Sequence, residues 1–190
     1  MSLLEIVAVL ISIVGVVLTV KRHPLCWVFN ILAYILYGYL FYEYKLYGET
    51  ILQFIFVILS IYGFIHWMKG RTQDHVIKIE ESKMTMQILQ LVFASISGLI
   101  FGLALQNFTE ASLPILDAQL AAFSLLATYW TAQRYIETWI LWIVVDIIYV
   151  GMFAYKELYL TAVLYAIFIG LAGYGLTEWR RIRKLQLENG

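Results

Sequence analysis

The sequence contains one cysteine, Cys26, and two prolines, Pro24 and Pro114, in 190 residues. A lone cysteine excludes an internal disulfide and reads as a small packing residue. Both prolines fall near expected helix starts, where proline is tolerated, so long unbroken helices are allowed. Charge is scarce as well: 13 basic and 13 acidic residues make up 14% of the chain and cancel. No basic excess is present to hold nucleic acid. Catalytic and energy-coupling motifs are also lacking. His23, His66 and His75 have no zinc-ligand spacing, and no GxxxxGK[ST] phosphate loop is present to drive the protein with ATP. The last apolar stretch, 158–178, has no lysine for a retinal Schiff base. Neither an enzyme nor a resident metal or cofactor is expected.

Apolar residues are abundant, at 62% of the chain with a mean hydropathy of +0.80. A soluble domain of this size cannot hide that much apolar surface, so a multi-pass membrane protein is implied. Seven stretches are long enough to span: 4–20, 26–43, 50–67, 86–106, 114–133, 138–155 and 158–178, each near the ~20 residues a crossing needs. The only sizeable polar segment is 69–83. Eleven of the 13 Lys and Arg fall on one side: Lys21, Arg22, Lys69, Arg71, Lys78, Lys83, Arg134, Arg180, Arg181, Arg183 and Lys184. Only Lys45 and Lys156 fall on the other. The positive-inside rule then places the N-terminus outside and the C-terminus in the cytoplasm. The N-terminus, with Glu5 and no early basic cluster, does not read as a cleavable signal peptide.

Trp27 to Trp67 overlays Trp139 to Trp179 without a gap at an offset of 112, with fourteen of 41 positions identical. Shared Ile and Leu carry little weight in so apolar a chain. Matched Trp27/Trp139, Tyr37/Tyr149, Tyr62/Tyr174, Gly63/Gly175 and Trp67/Trp179 carry much more. The match extends back through Glu5/Asp117, Ser12/Ser124 and Arg22/Arg134. The chain therefore divides into a first three-helix repeat (1–68), a cytoplasmic linker plus crossing helix (69–112), a second repeat (113–180) and a cytoplasmic tail (181–190). The second copy starts after four crossings, so the two copies are parallel, as in SWEET proteins. Two copies of a hydrophobic unit point to a transporter with its substrate site between them.

Trp27, Asn30, Tyr34, Tyr37 and Phe41 share one face of the second span by their steps of three and four. Trp139, Trp142, Asp146, Tyr149 and Phe153 repeat the pattern in the sixth. The third span aligns Gln53, Phe56, Ser60, Gly63 and Trp67; the seventh aligns Tyr165, Phe168, Ala172, Gly175 and Trp179. The aromatic frame persists while the polar members change, with Asn30 matched by Trp142, Tyr34 by Asp146 and Gln53 by Tyr165. Trp67, Trp179, Tyr47 and Tyr159 near span ends read as interface anchors, and Gly63 and Gly175 as close-packing positions. Asp146 stands apart. A carboxylate at mid-span costs at least ~2.5 kcal/mol, and no Lys or Arg lies at that depth. Trp and Tyr rings, amides and a carboxylate together suit a flat, polar, cationic ligand.

These residues resemble the PnuC family of bacterial vitamin transporters, whose best-known members carry nicotinamide riboside. The resemblance rests on Trp27-Val28-Phe29-Asn30 through Lys45-Leu46-Tyr47-Gly48, Leu52-Gln53 and Ile61-Tyr62-Gly63. In the second copy it rests on Asp117 and on Arg134 through Trp142, leading to Asp146. It implies an all-α membrane protein of seven helices in a SWEET-like 3+1+3 arrangement, a homotrimer in the bacterial inner membrane, and facilitated diffusion. A separate cytoplasmic nucleoside kinase would then trap the substrate. By the same resemblance Asn30, Gln53, Trp142 and Asp146 are substrate contacts, with Trp27, Tyr34, Tyr37, Trp139 and Tyr149 around them. Relatives often have Asn where this chain has Asp146. Thiamine and riboflavin carriers share the scaffold and are the alternatives within transport. A membrane sensor that binds the vitamin without moving it is the alternative from another class.

Overall fold

The computed structural model describes residues 3–43, 47–70, 77–108, 113–155, 157 and 159–188, without the side chains of Tyr47, Gly48 and Phe108. Lys45, Leu46, Arg71, His75, Lys156 and Leu158 lie outside the described residues. Seven α-helices occur among the described residues: α1 (Leu3–Val20), α2 (Leu25–Glu43), α3 (Tyr47–Lys69), α4 (Met84–Phe108), α5 (Pro114–Ala132), α6 (Thr138–Tyr155) and α7 (Tyr159–Glu188). Each expected span has its helix. Six are long and apolar enough to cross a membrane; α5 is the exception. Its Asp117, Gln119, Ser124, Thr128 and Thr131 lower its hydropathy. It packs against α3, α4 and α6, so it does not need an apolar surface all round.

Pro114 opens α5, and Pro24 immediately precedes α2. The turns that end α1 and α5 are copies of one another. Arg22 and Arg134 adopt left-handed backbone conformations, with φ of 55° and 65°. His23 N donates to Leu18 O at 2.9 Å, and Tyr135 N donates to Trp130 O at 3.0 Å. This is a helix-ending motif that usually employs glycine. Arginine in that conformation is strained, and the strain is offset by what its side chain reaches.

The repeat is equally clear in the packing. Trp27 lies against Gly63, where an added Cβ would come 2.5 Å from the indole, and Trp139 lies against Gly175, where the gap would be 2.7 Å. Trp27 and Trp67 meet edge to face at 5.4 Å, as do Trp139 and Trp179. Trp67 and Trp179 then meet across the repeats at 6.4 Å. The Trp67 indole N–H donates to the carbonyls of Thr131 and Ala132 at 3.1 Å, and that of Trp179 donates to Val20 O at 3.1 Å. These acceptors are the last residues of α5 and α1, so each indole caps the helix end of the opposite repeat. Equivalent ends meet at one level, so the two copies run in the same direction. Among the described residues, α5 is the one helix against which α4 packs.

Two expectations need correction. Trp67 and Trp179 are not interface anchors; both are fully buried at 0% exposure. Their depth matches an aromatic belt, but their faces of α3 and α7 point toward the axis between the repeats. The 69–83 segment is more than a polar linker, because Ile77 and Ile79 are buried at 3% within the tryptophan cluster.

Candidate functional site

Helix α2 turns Trp27, Asn30, Tyr34, Tyr37 and Phe41 inward. Its opposite face exposes Val28, Leu32, Ile35, Tyr39 and Tyr42. Helix α6 does the same, with Ile140, Val144, Ile147 and Ile148 outward. Helices α2 and α3 are antiparallel in a register that the glycines reveal: Gly38 faces Gln53 and Trp27 faces Gly63. The register places Asn30 level with Ser60 and Tyr34 level with Phe56, and these last two rings stack at 4.9 Å. Tyr34 and Asp146, seven residues along from Trp27 and Trp139, stand roughly 10 Å above the tryptophan cluster at 1.5 Å per residue.

The sequence-derived residues take up different roles at these levels. Trp27 and Trp139, at 0% and 2% exposure, lie a level below the others, and their indole N–H groups have no partner among the described residues. Asn30, Tyr34, Tyr37, Gln53, Trp142 and Tyr149 are half-buried. The Asn30 amide occupies the space a side chain on Gly15 would fill. Tyr37 and Tyr149 lie beside the equivalent residues Ser12 and Ser124. Tyr149 stacks with Phe153 at 5.7 Å and meets Tyr165 in a tilted contact at 4.6 Å, closing the second repeat with aromatic rings. In the first repeat the equivalent Tyr37 stacks with Phe41 at 6.1 Å, and Gln53 Oε1 is buried without a partner among the described residues. Asp146 is 3% exposed and has no hydrogen bond or ion pair among the described residues.

Thr128 is not among the residues the sequence pattern singles out, and Ser60 is named there only as a member of the third span's face. Tyr34 reaches across the repeat boundary to Thr128, whose hydroxyl donates to Ser124 O at 2.9 Å. The position equivalent to Thr128 is Val16, which offers Asp146 no hydroxyl. Ser60 is wholly buried with an unpartnered hydroxyl, although other helix hydroxyls here, such as Thr19 to Gly15 O at 2.9 Å, bond back to their own helix. The only sequence signal for Thr128 was a polar residue within an apolar span. No group of three or more His, Cys, Asp or Glu able to hold a metal occurs among the described residues.

Seven helices, two parallel copies of a three-helix unit and an aromatic-lined polar site at their junction define a multi-pass membrane transporter. The family model described as nicotinamide mononucleotide transporter matches residues 2–181, and the chain belongs to that family. It is 30% identical to the nicotinamide riboside transporter PnuC of Neisseria mucosa, over 96% of this chain and 74% of that protein. Identity to the PnuC of Escherichia coli is 24%, over 80% of this chain and 74% of the relative. The crystal structure of a vitamin B3 transporter PnuC superposes with a TM-score of 0.75 at 26% identity, covering 95% of this chain and 82% of that one.

Proposed function

We propose that this chain carries nicotinamide riboside through the bacterial inner membrane by facilitated diffusion. The observation that carries the reading is the buried Asp146, without a hydrogen-bond or ion-pair partner among the described residues, within an aromatic enclosure. A carboxylate in that position calls for a cation, and the charged pyridinium ring of the riboside supplies one that can also stack on Trp142. Asn30 and Gln53 offer amides that match a carboxamide in both donor and acceptor. The names of the relatives support the same substrate. Thiamine, also a cationic heterocycle, is the second reading for the same reason. The proposal includes a SWEET-like 3+1+3 arrangement, a homotrimer, and trapping of the substrate by a cytoplasmic kinase.

A thermal-shift panel of nicotinamide riboside, thiamine and riboflavin tests the substrate. A ligand at 100 times its Kd stabilises the folded state by about 2.7 kcal/mol, and only the true ligand should do so. Trp142→Ala should remove that shift, since losing one stacked ring costs about 1–3 kcal/mol, or roughly 5- to 150-fold in affinity. A normal shift in folded Trp142→Ala would move the site elsewhere. Uptake into liposomes that contain only this protein separates a carrier from a sensor.

The eleven-to-two bias of basic residues supports a cytoplasmic tryptophan end and an outside N-terminus. Single cysteines at Lys83 and Asn107, with Cys26 replaced, should react with an impermeant thiol reagent from opposite faces. Labelling from one face would refute the assignment.

A further inference from the structure

Below the tryptophan cluster, residues 77–82 cross the end of the molecule as a strap. Ile77 and Ile79 point into the cluster and pack with Val20, Trp67, Ala132 and Trp179. The alternate residues point outward and carry charge. A solute moving from the site toward this end meets the four indoles and then the two isoleucines.

The strap's attachments are unequal. To the second repeat and the continuation of its last helix α7 it makes seven polar contacts among the described residues. Glu80 N donates to Arg134 O at 3.0 Å and Ile136 N donates to Glu80 O at 3.1 Å, forming a short parallel bridge. Arg134 pairs with Glu80 at 2.6 Å, and Ser82 N donates to Glu137 at 3.4 Å. From α7, Arg183 pairs with Glu81 at 2.7 Å and donates to Ile79 O at 3.0 Å, while Gln186 accepts from Ile79 N at 3.3 Å. To the first repeat it makes one polar contact among the described residues: Arg22 Nη1 donates to Ile77 O at 2.8 Å. Arg22 is the repeat equivalent of Arg134, yet among the described residues it has no carboxylate at ion-pair distance and its Nε is buried without a partner. Burial holds its guanidinium below the usual value, with Glu178 opposing.

We infer that the 77–82 strap is the gate of the transport path at the tryptophan end. It travels with the second repeat, and the Arg22–Ile77 hydrogen bond is the latch that parts when the repeats separate. Seven contacts against one determine which side it follows, since the weakly tied face breaks first. Ile77 and Ile79 seal the closed state by apolar contact with Val20 and Trp67, and those contacts form and break with the latch. The inference requires only that the protein transports; the riboside serves as its probe.

The test uses full-length protein with Cys26 replaced, in liposomes, and counterflow of labelled nicotinamide riboside. One variant carries Lys21→Cys and Lys78→Cys, flanking the latch. A second carries Glu81→Cys and Arg183→Cys, joining the strap to α7. Each is measured before linking, after linking with a short cleavable bis-maleimide, and after cleavage. Linking across the latch should abolish counterflow, and cleavage should restore it. Linking the strap to α7 should leave counterflow near the variant's own unlinked rate. If both links abolish counterflow, the strap does not travel with the second repeat, and the inference is overturned. It is equally overturned if the latch link changes nothing. Absence of counterflow in both unlinked variants and in the parent would instead refute the riboside, and the links would then be scored with whichever ligand the thermal-shift panel selects.

Discussion

Asp146→Asn is expected to weaken binding of nicotinamide riboside by roughly 10- to 100-fold, about 1.4–2.7 kcal/mol. Asparagine keeps the size and much of the hydrogen bonding while removing the charge. Truncating one member of a buried charge pair costs about 2–5 kcal/mol, and asparagine retains part of the interaction. The reduced dihydro-riboside has nearly the same shape with no positive charge, so its affinity should change by no more than about threefold, under 0.7 kcal/mol. Equal losses for both ligands would show that Asp146 acts by packing rather than by charge. The same carboxyl could instead carry a proton with the substrate. In that case an imposed inward proton gradient would drive accumulation in liposomes above equilibrium, and Asp146→Asn would abolish the effect. Facilitated diffusion requires that the parent protein equilibrate the substrate and stop there.

Trp67→Ala is expected to cost about 3–5 kcal/mol of stability, a large share of the roughly 5–15 kcal/mol available to a folded domain. The ring fills a fully buried space between Trp27 and Trp179. Even Trp67→Phe should be felt. It retains apolar bulk but loses the N–H shared by the Thr131 and Ala132 carbonyls, and leaving such buried acceptors bare costs about 1–3 kcal/mol. An interface anchor would tolerate phenylalanine with little change. Thermal unfolding of the purified protein in detergent distinguishes the two. An unchanged midpoint for Trp67→Phe would return this residue to the membrane surface.

The sequence displayed the scaffold well because the duplication left aromatic residues at matched positions, and a ring in a helix face is a strong marker of which way that face points. Gly63 and Gly175 were legible as packing sites for the same reason, although not as seats for Trp27 and Trp139. Direction about the helix axis was harder to read near span ends. Trp67 lies at the depth of an interfacial belt, and depth alone does not separate belt from core. The strap was hidden by its charges: Lys78, Glu80 and Glu81 made the segment look fully solvated. The alternation Ile77-Lys78-Ile79-Glu80 was the available signal, since a period of two lets one face be buried in an otherwise polar segment. At the site, the inward faces of α2 and α6 followed from spacing. The reach of Tyr34 to Thr128 did not, because it depends on how the two repeats are set against each other.

The indole caps imply something about ancestry. Trp67 closes the end of a helix in the second copy, and Trp179 closes the end of a helix in the first. Divided between its copies, the chain would leave two helix ends with bare carbonyls and two indoles without acceptors. A protein made of one copy would have to form these bonds between two molecules, as a self-complementary two-fold dimer does. Joining the copies keeps that interface within one polypeptide and releases it from strict symmetry. A dimer of identical halves can only set Asp against Asp or Tyr against Tyr. The fused chain sets Tyr34 in one half where Asp146 stands in the other, so a pocket built by duplication can hold a ligand whose two ends differ.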